Sequence, residues 1–207
     1  MAKYVCLSFD DGPNNKGDNT MNQMLDLLEK HNIPASFFLI GNKITEENKK
    51  VIKRAMDLGC DIQNHSWTHP AMAEMDIDAI KDEYEKCDKA IEEITGKKAE
   101  FFRPPYISVG PNMYKAINVP FICGHGCEDW VESVSTDERL KKMREGTKDG
   151  TIYLLHVSEG NINTLQAVDT IVPELKAQGY TFVNLPDLFR LEGVDPKVPN
   201  SLWTFVK

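Results

Sequence analysis

The sequence predicts an α/β fold with parallel strands in a single domain, built either as an open doubly wound sheet or as a closed barrel. Three observations lead to this prediction: the chain length, the composition, and the alternation of short β-rich runs with amphipathic segments. A length of 207 residues favours one domain over two, since domains average roughly 150 residues. With 41% hydrophobic and 27% charged residues, the composition is typical of a globular chain and excludes disordered and fibrous classes.

Seven short runs rich in β-forming residues are predicted as strands. They span residues 4–9, 35–40, 60–63, 100–102, 120–123, 151–155 and 180–183. Between them, apolar residues recur at every third or fourth position, which indicates amphipathic helices. The clearest of these stretches are 21–28, 51–58 and 165–175. Strict alternation of strand and helix implies parallel strands joined by right-handed crossovers, and seven units favour the barrel over the open sheet.

Capping residues mark the predicted helix ends. Glycines follow the helical patterns, and small polar residues stand where N-caps belong. The glycines are Gly59, Gly96 and Gly179, and the N-cap residues are Thr45, Asp76 and Ser135. Residues 194–207 are predicted to be a terminal tail that packs on the outside of the domain 1–207, where Trp203 and Phe205 cover an edge.

Charge and cysteine content exclude several function classes. The 24 Lys and Arg against 32 Asp and Glu give a net charge of −8, so neither nucleic acid nor an anionic membrane is an expected partner. No run approaches the roughly 20 apolar residues that span a bilayer. Strand-like sequence follows the first residues directly, which fits a cytosolic protein and equally a catalytic domain of a longer secreted protein. The five cysteines are an odd number and predict no disulfide framework. A monomer is the default expectation.

Candidate functional residues follow the first and third predicted strands. In parallel α/β folds, reactive groups lie just past the carboxyl ends of the strands. The first strand is followed by Asp10-Asp11-Gly12-Pro13, which in isolation is more typical of an Asp-rich turn. The third is followed by His65 and His69. Two imidazoles and one carboxylate with an open fourth position describe a catalytic metal site, although the spacing alone fits an ordinary loop equally well.

Three further strand ends carry unusual residues. After the fourth strand, two prolines in Arg103-Pro104-Pro105-Tyr106 give Arg103 and the Tyr106 amide defined positions. The fifth strand is followed by Glu128-Asp129-Trp130, and the sixth ends in Leu154-Leu155-His156. Each of these segments, taken alone, is more often structural than functional.

Together the segments resemble the polysaccharide deacetylase family, the carbohydrate esterases built on the NodB-type domain. The resemblance extends from residue 7 to about residue 191 and has five segments in order. They are Ser8-Phe9-Asp10-Asp11-Gly12-Pro13, His65-Ser66-Trp67-Thr68-His69-Pro70, Arg103-Pro104-Pro105-Tyr106, Asp129-Trp130 and Leu154-Leu155-His156. The family fold is a distorted (β/α) barrel of seven or eight parallel strands, in agreement with the strand count above.

The resemblance implies a metal and a general base. Asp11, His65 and His69 would bind one divalent metal ion, with zinc as the first choice and cobalt or nickel as alternatives. Asp10 would accept a proton from water as general base, and Arg103 would hold Asp10 in place. Water, and no covalent intermediate, would therefore carry the attack on the acetyl group.

The resemblance also implies roles around the substrate. The backbone amide of Tyr106 would donate to the oxyanion, and His156 would protonate the leaving oxygen or nitrogen. Asp129 would orient His156 and favour its charged form. Trp130 and Leu154 would line the acetyl pocket.

Two departures from the family pattern occur near these motifs. Gly126 stands where many relatives carry an additional Asp, and Val157 follows the last motif where many have Asp. Cys123, His125 and Cys127 raise the possibility of a second metal site, but their spacing matches no familiar zinc knuckle. A structural loop is the preferred interpretation of this stretch.

The leading functional hypothesis is a metal-dependent hydrolase that removes acetyl groups from a sugar polymer or oligomer. The bond is either the amide of N-acetylglucosamine or the ester of O-acetylated xylan, with residues 128–156 and the tail most similar to bacterial acetylxylan esterases. Two alternatives are a catalytically silent carbohydrate-binding domain and a metal-free cyclic amidase of the allantoinase-like branch. The resemblance implies an extracellular or cell-surface location as part of a longer bacterial protein.

Overall fold

The computed structural model describes residues 2–14 and 19–207. Within them the chain forms eight strands, which are β1 Lys3–Gly12, β2 Ser36–Leu39, β3 Asp61–Asn64, β4 Phe121–Ile122, β5 His125–Gly126, β6 Thr151–His156, β7 Tyr180–Phe182 and β8 Leu202–Trp203. The same residues form seven α-helices, which are α1 Thr20–His31, α2 Lys49–Asp57, α3 Ile77–Thr95, α4 Pro111–Ala116, α5 Thr136–Gly146, α6 Ile162–Ala177 and α7 Leu185–Glu192. No helix in this part of the chain is long and apolar enough to span a membrane.

The strands form a distorted parallel barrel. The main sheet has the order β3-β2-β1-β6-β5, and β7 pairs with the first residues of β1. Phe102 bridges Asn64 at the end of β3 to Phe121 of β4, β4 pairs with β8, and Phe205 bridges back to Thr151 of β6. These contacts connect β3 back to β6 through Phe102, β4, β8 and Phe205, and so close the sheet. The predicted barrel is therefore confirmed.

Side chains alternate between the inside and the outside of the barrel. Val5, Leu7 and Phe9 of β1 belong to the large core beneath the surrounding helices, whereas the intervening Cys6 belongs to a second, smaller core. That second core takes one residue from each of several strands, as expected for a barrel interior. Its members include Cys6, Phe38, Ile122 and Ile152, with Leu185, Leu188 and Phe189 of α7 packed against them.

The terminal segment agrees with the prediction in part. Trp203 of β8 pairs with β4 and Phe205 bridges Thr151 of β6, so these two residues cover a sheet edge as predicted. Val206, however, is fully buried in the smaller core rather than on the outside. The backbone carbonyl of Trp203 accepts hydrogen bonds from Cys123 and Gly124 at 2.8 and 3.1 Å. Residues 121–126 are divided at Gly124 into β4 and β5. Only β5 pairs with β6, and β8 of the terminal segment pairs with β4. The extent of the domain, 1–207, stays a prediction.

Two further predictions need correction. The predicted fourth strand, 100–102, contributes only the bridges of Phe102, and a separate short strand, β5, follows β4. The N-cap of α2 is Asn48 rather than Thr45, since Thr45 begins a turn before the helix. The other predicted caps hold: Asp76 and Ser135 accept hydrogen bonds from the first turns of α3 and α5, and Gly59, Gly96 and Gly179 follow helices with positive φ.

Candidate active site

A cleft of about 340 Å³ opens at the carboxyl ends of the barrel strands. Eight of the ten predicted site residues line it, namely Asp10, Asp11, His65, His69, Tyr106, Trp130, Leu154 and His156. The other two, Arg103 and Asp129, are buried beneath the cleft and contact Asp10 and His156. The topology therefore brings residues separated by more than 140 positions in the sequence to one surface.

Three potential metal ligands converge in this cleft. One ligand atom from each of Asp11, His65 and His69 lies within 4.8 Å of the others. Asp11 Oδ1 is 3.8 Å from His65 Nε2 and 3.7 Å from His69 Nε2. The Nδ1 atom of His65 donates to the carbonyl of Arg103 at 2.7 Å, so Nε2 is the nitrogen that faces Asp11 and can act as a ligand. This set of two imidazoles and one carboxylate fits a divalent ion such as zinc.

Electrostatics favours the metal-binding forms of two of these groups. Burial acts to raise the pKa of Asp11, but the nearby histidines outweigh it, and the net pKa lies below the ordinary value. The pKa of His69 is lowered by burial and by the proximity of His65. Asp11 is consequently a carboxylate and His69 a neutral imidazole at neutral pH. These are the protonation states that metal binding requires.

The backbone at these ligands adopts the left-handed region. The φ angles of Asp11, Ser66 and His69 are 70°, 66° and 60°, values that non-glycine residues seldom adopt. Local hydrogen bonds support this geometry: Asn64 Oδ1 accepts from the Ser66 amide at 2.9 Å, and Ser66 Oγ accepts from the His69 amide at 3.0 Å. Strain of this kind is typical of sites that hold side chains in fixed positions.

Two residues that the sequence analysis did not predict, Glu83 and Ser158, form hydrogen bonds that position the potential metal ligands. Glu83 of α3 accepts hydrogen bonds from the backbone amides of Trp67 and Thr68 at 3.0 and 2.8 Å, and from the Thr68 hydroxyl. Ser158 donates to Asp11 Oδ2 at 3.0 Å, so that Oδ1 is the oxygen directed at the histidines. Both contacts join separate elements, and no spacing in the sequence signals them.

Asp10 is held by a buried arginine. Arg103 is fully buried and donates through Nη1 to Asp10 Oδ1 at 2.6 Å and through Nη2 to Ser8 Oγ at 2.7 Å. Ser8 and Asp10 share the inner face of β1 because they are two residues apart on a strand. The guanidinium also lies 4.1 Å from the ring centre of Phe38. Asp10 is thus fixed beside the three ligands, with Oδ2 3.6 Å from His65 Nε2.

His156 and Asp129 form a second hydrogen-bonded pair at the cleft. Asp129 Oδ1 lies 2.8 Å from His156 Nδ1, and Oδ2 accepts from the His156 amide at 2.7 Å. Burial acts to lower the pKa of His156, but the hydrogen bond and charge of Asp129, with the charges of Asp10 and Asp11, raise it to about 9. Since Nδ1 is engaged, Nε2 is the nitrogen that can donate a proton into the cleft.

Aromatic and apolar side chains flank these polar groups. Tyr106 has a left-handed backbone, and its ring lies edge-on to His69 at 4.7 Å while 69% of the residue surface stays exposed. The ring of Trp130 lies 5.6 Å from that of His156 and is also largely exposed. Leu154 is buried at the base of the cleft. The open walls are suited to contact with a ligand that extends beyond the cleft.

The sequence of this chain matches the model of a known family over residues 1–119, more than half of its length. That model describes polysaccharide deacetylases. The chain belongs to the polysaccharide deacetylase family. The sequence-based identification of the family is therefore confirmed.

Individual relatives agree with this assignment. The structure of a family 4 acetyl xylan esterase from Clostridium thermocellum in complex with a cobalt ion superposes on this chain with a TM-score of 0.92. The two sequences are 35% identical, and the superposition covers 99% of this chain and 99% of the esterase chain. A bifunctional xylanase/deacetylase from Pseudobutyrivibrio xylanivorans is 41% identical over 205 residues, which are 99% of this chain and 33% of that protein.

A third relative acts on a different polymer. A peptidoglycan-N-acetylglucosamine deacetylase from Listeria monocytogenes is 32% identical over 188 residues, which are 90% of this chain and 39% of that protein. The chain therefore spans between a third and two fifths of the length of these two curated relatives.

One of the two departures from the family pattern, Gly126, has a local explanation. A Cβ atom at Gly126 would lie 3.2 Å from the ring of Trp130, so the glycine leaves space for this ring. The hypothesis of a second metal site is not supported: His125 Nε2 interacts with the carbonyl of Lys142 at 3.2 Å. In residues 2–14 and 19–207, Asp11, His65 and His69 form the single cluster with metal-binding geometry.

Proposed function

We propose that this polysaccharide deacetylase hydrolyses acetyl groups on a carbohydrate polymer or oligomer, with O-acetylated xylan as its first expected substrate. One observation carries the proposal: three convergent metal ligands lie in one cleft between the Asp10–Arg103 pair and the His156–Asp129 pair. The two xylan-related relatives support the choice of xylan. The amide of N-acetylglucosamine is the second candidate, because the Listeria relative is named for it.

In this proposal Asp11, His65 and His69 hold one divalent ion, with zinc preferred and cobalt or nickel as alternatives. When bound, such an ion acts as a Lewis acid that makes water more acidic and polarises a carbonyl group. The cobalt ion in the Clostridium thermocellum structure supports a divalent metal of this type.

Asp10 is the proposed general base. Its carboxylate accepts the proton of the attacking water, and the Arg103 guanidinium holds it in position at 2.6 Å. This arrangement directs one carboxylate oxygen, Oδ2, toward the ligand cluster while Oδ1 stays bonded to arginine. General-base catalysis of this kind contributes roughly 10²–10⁴-fold to a rate.

His156 is the proposed general acid. With its pKa raised to about 9, the imidazole carries a proton at neutral pH and can transfer it from Nε2 to the leaving sugar oxygen or nitrogen. Asp129 orients the ring through Nδ1. The backbone amide of Tyr106 is proposed to donate to the acetyl oxygen as negative charge develops, and Trp130 and Leu154 to contact the acetyl methyl group.

The alternatives are less well supported. A catalytically silent carbohydrate-binding domain does not require the intact pairs of Asp10 with Arg103 and His156 with Asp129. A metal-free cyclic amidase does not require convergent ligand atoms on Asp11, His65 and His69. The deacetylase proposal accounts for all of these contacts.

We propose that the enzyme acts as a monomer outside the cell or at the cell surface, within a longer bacterial protein. Extended polysaccharides of the kind proposed as substrate are extracellular, and the two curated relatives are roughly two to three times as long as this chain. Sedimentation of the purified chain tests the monomer, with a single species of 23.4 kDa expected.

Parallel assays of acetate release test the substrate proposal. Zinc-loaded protein is incubated with acetylated xylan and, separately, with a chitooligosaccharide, and acetate is measured over time. We expect faster release from xylan. Preference for the chitooligosaccharide would reassign the bond to the amide, and no release from either substrate by metal-loaded protein would contradict the proposed substrate class.

A further inference from the structure

A buried arginine lies behind the proposed general acid. Arg139 of α5 is 2% exposed, and arginine is seldom buried without a paired charge. In the described part of the chain its recorded partners are all neutral: the carbonyls of Val134 and Val131 at 3.0 and 3.2 Å, and the side chains of Asn161 and Thr164. The positive charge is therefore compensated indirectly.

The side chains that accept from Arg139 are themselves donors to Asp129. Arg139 Nη1 donates to Thr164 Oγ1 at 2.7 Å, and that hydroxyl donates to Asp129 Oδ2 at 3.0 Å. Asn161 accepts from the same guanidinium nitrogen through Oδ1 and directs its Nδ2 at Asp129 Oδ2, 3.4 Å away. One hydroxyl thus separates the buried cation from the carboxylate.

These contacts determine which oxygen of Asp129 faces the imidazole. Oδ2 accepts from Thr164, from Asn161 and from the His156 amide. Oδ1 is left for His156 Nδ1 at 2.8 Å. Rotation of the Asp129 carboxylate would break the contacts of Oδ2, so its orientation is fixed from the side away from the cleft.

We propose that Arg139 and Thr164 are positioning residues that hold Asp129, and through it His156, in the orientation needed for proton donation. This inference rests on the proposed role of His156 as general acid. The charged groups that act on His156 are Asp129, Asp10 and Asp11. Arg139 is linked to Asp129 through the Thr164 hydroxyl. An apolar side chain would fill the space of Arg139 without the cost of burying a charge, but it would leave Thr164 without this donor.

The substitution Thr164→Val tests the inference, because it keeps the shape of the side chain and removes the hydroxyl. We expect kcat to fall about tenfold, as for loss of one hydrogen bond of about 1.4 kcal/mol. KM for acetylated substrate and the dissociation constant for zinc are expected to stay unchanged. The matched control is Thr170→Val on the same helix, whose exposed hydroxyl donates to the Gln166 carbonyl at 2.9 Å; it should leave kcat unchanged.

A double-mutant cycle separates positioning from a general loss of structure. If Thr164 acts through Asp129, Thr164→Val should have less than about a twofold effect on kcat in an Asp129→Ala background. Independent losses that multiply in the double variant would overturn the inference. Arg139→Met should lower kcat to a similar extent as Thr164→Val, and if it does not fold, the Thr164 cycle still decides.

The failures of the two proposals are distinguishable. If Asp129→Ala leaves kcat unchanged, the role of the His156–Asp129 pair is wrong and the inference falls with it. If Asp129→Ala lowers kcat while Thr164→Val leaves it unchanged, the proposed function stands and the positioning role of Thr164 and Arg139 is overturned.

Discussion

Non-glycine residues with a left-handed backbone are concentrated at the candidate site. Asp11, Ser66, His69 and Tyr106 all have φ between 58° and 70°, and three of the four line the cleft. Each such residue costs roughly 1–3 kcal/mol, a cost that surrounding hydrogen bonds must offset. The Glu83 contacts to the loop between His65 and His69 are of this kind.

Replacing the proposed general base should stop turnover without removing the metal. We expect Asp10→Asn to lower kcat by roughly 10²–10⁴-fold, because the amide keeps the shape but cannot accept the proton from water. Zinc affinity, measured by competition with a chelating dye, should change little. Acetate release at the wild-type rate would contradict the assignment of Asp10.

The pH dependence of turnover should report His156. The protonated form is present below its pKa, so activity that needs this proton should fall as pH rises through about 9. In Asp129→Asn the charge that raises this pKa is lost, and the alkaline limb should move toward the ordinary value of about 6.5. Initial rates across neutral and alkaline pH check this. An alkaline limb at the same pH in both proteins would contradict the pairing.

Removal of Glu83 should weaken metal binding although Glu83 is not a ligand. We expect Glu83→Ala to raise the dissociation constant for zinc about 10- to 100-fold, the range for residues that hold metal ligands in place. Glu83→Gln keeps an acceptor oxygen for the two amides and should retain most of the affinity. Glu85→Ala on the exposed face of the same helix is the control. Equal affinity in all variants would show that the loop holds its shape without Glu83.

At the level of elements, the sequence predicted the strands and helices in which buried residues recur at a regular spacing. The strands at residues 4–9 and 151–155 and the helix at 165–175 recur in the structure with small changes of boundary. The short strands β5 and β8 were not predicted, because His125–Gly126 lacks a β-type pattern and Leu202–Trp203 lies in the segment that was interpreted as a terminal tail. Their pairing depends on the break at Gly124, a tertiary feature that local sequence does not reveal.

The terminal segment should contribute to stability rather than to chemistry. Val206 is fully buried in the smaller core, and its amide donates to the Gly150 carbonyl at 2.8 Å. We expect Val206→Ala to lower the free energy of unfolding by about 1–3 kcal/mol with kcat unchanged below the melting temperature. Urea unfolding measures the first quantity. Val198→Ala, half exposed in the same segment, is the control and should be near neutral; equal effects would contradict the structural role of Val206.

At the level of the whole molecule, the barrel explains why the candidate site was predictable in part. The ten residues expected from strand ends and motifs lie in or directly beneath one cleft, because parallel strands place their carboxyl ends together. Glu83, Ser158, Arg139 and Thr164 were not predicted. They lie on helices or loops behind the motifs, and their roles depend on side-chain directions that only the folded chain defines.

The central claim is that Asp11, His65 and His69 bind one divalent ion on which deacetylation depends. Chelated protein is titrated with zinc while bound metal and acetate release from acetylated xylan are measured in the same samples. We predict that activity rises in proportion to bound zinc and reaches its maximum at one ion per chain, and that His65→Ala loses both. Full activity in thoroughly chelated protein, or unchanged zinc binding by His65→Ala, would contradict the account.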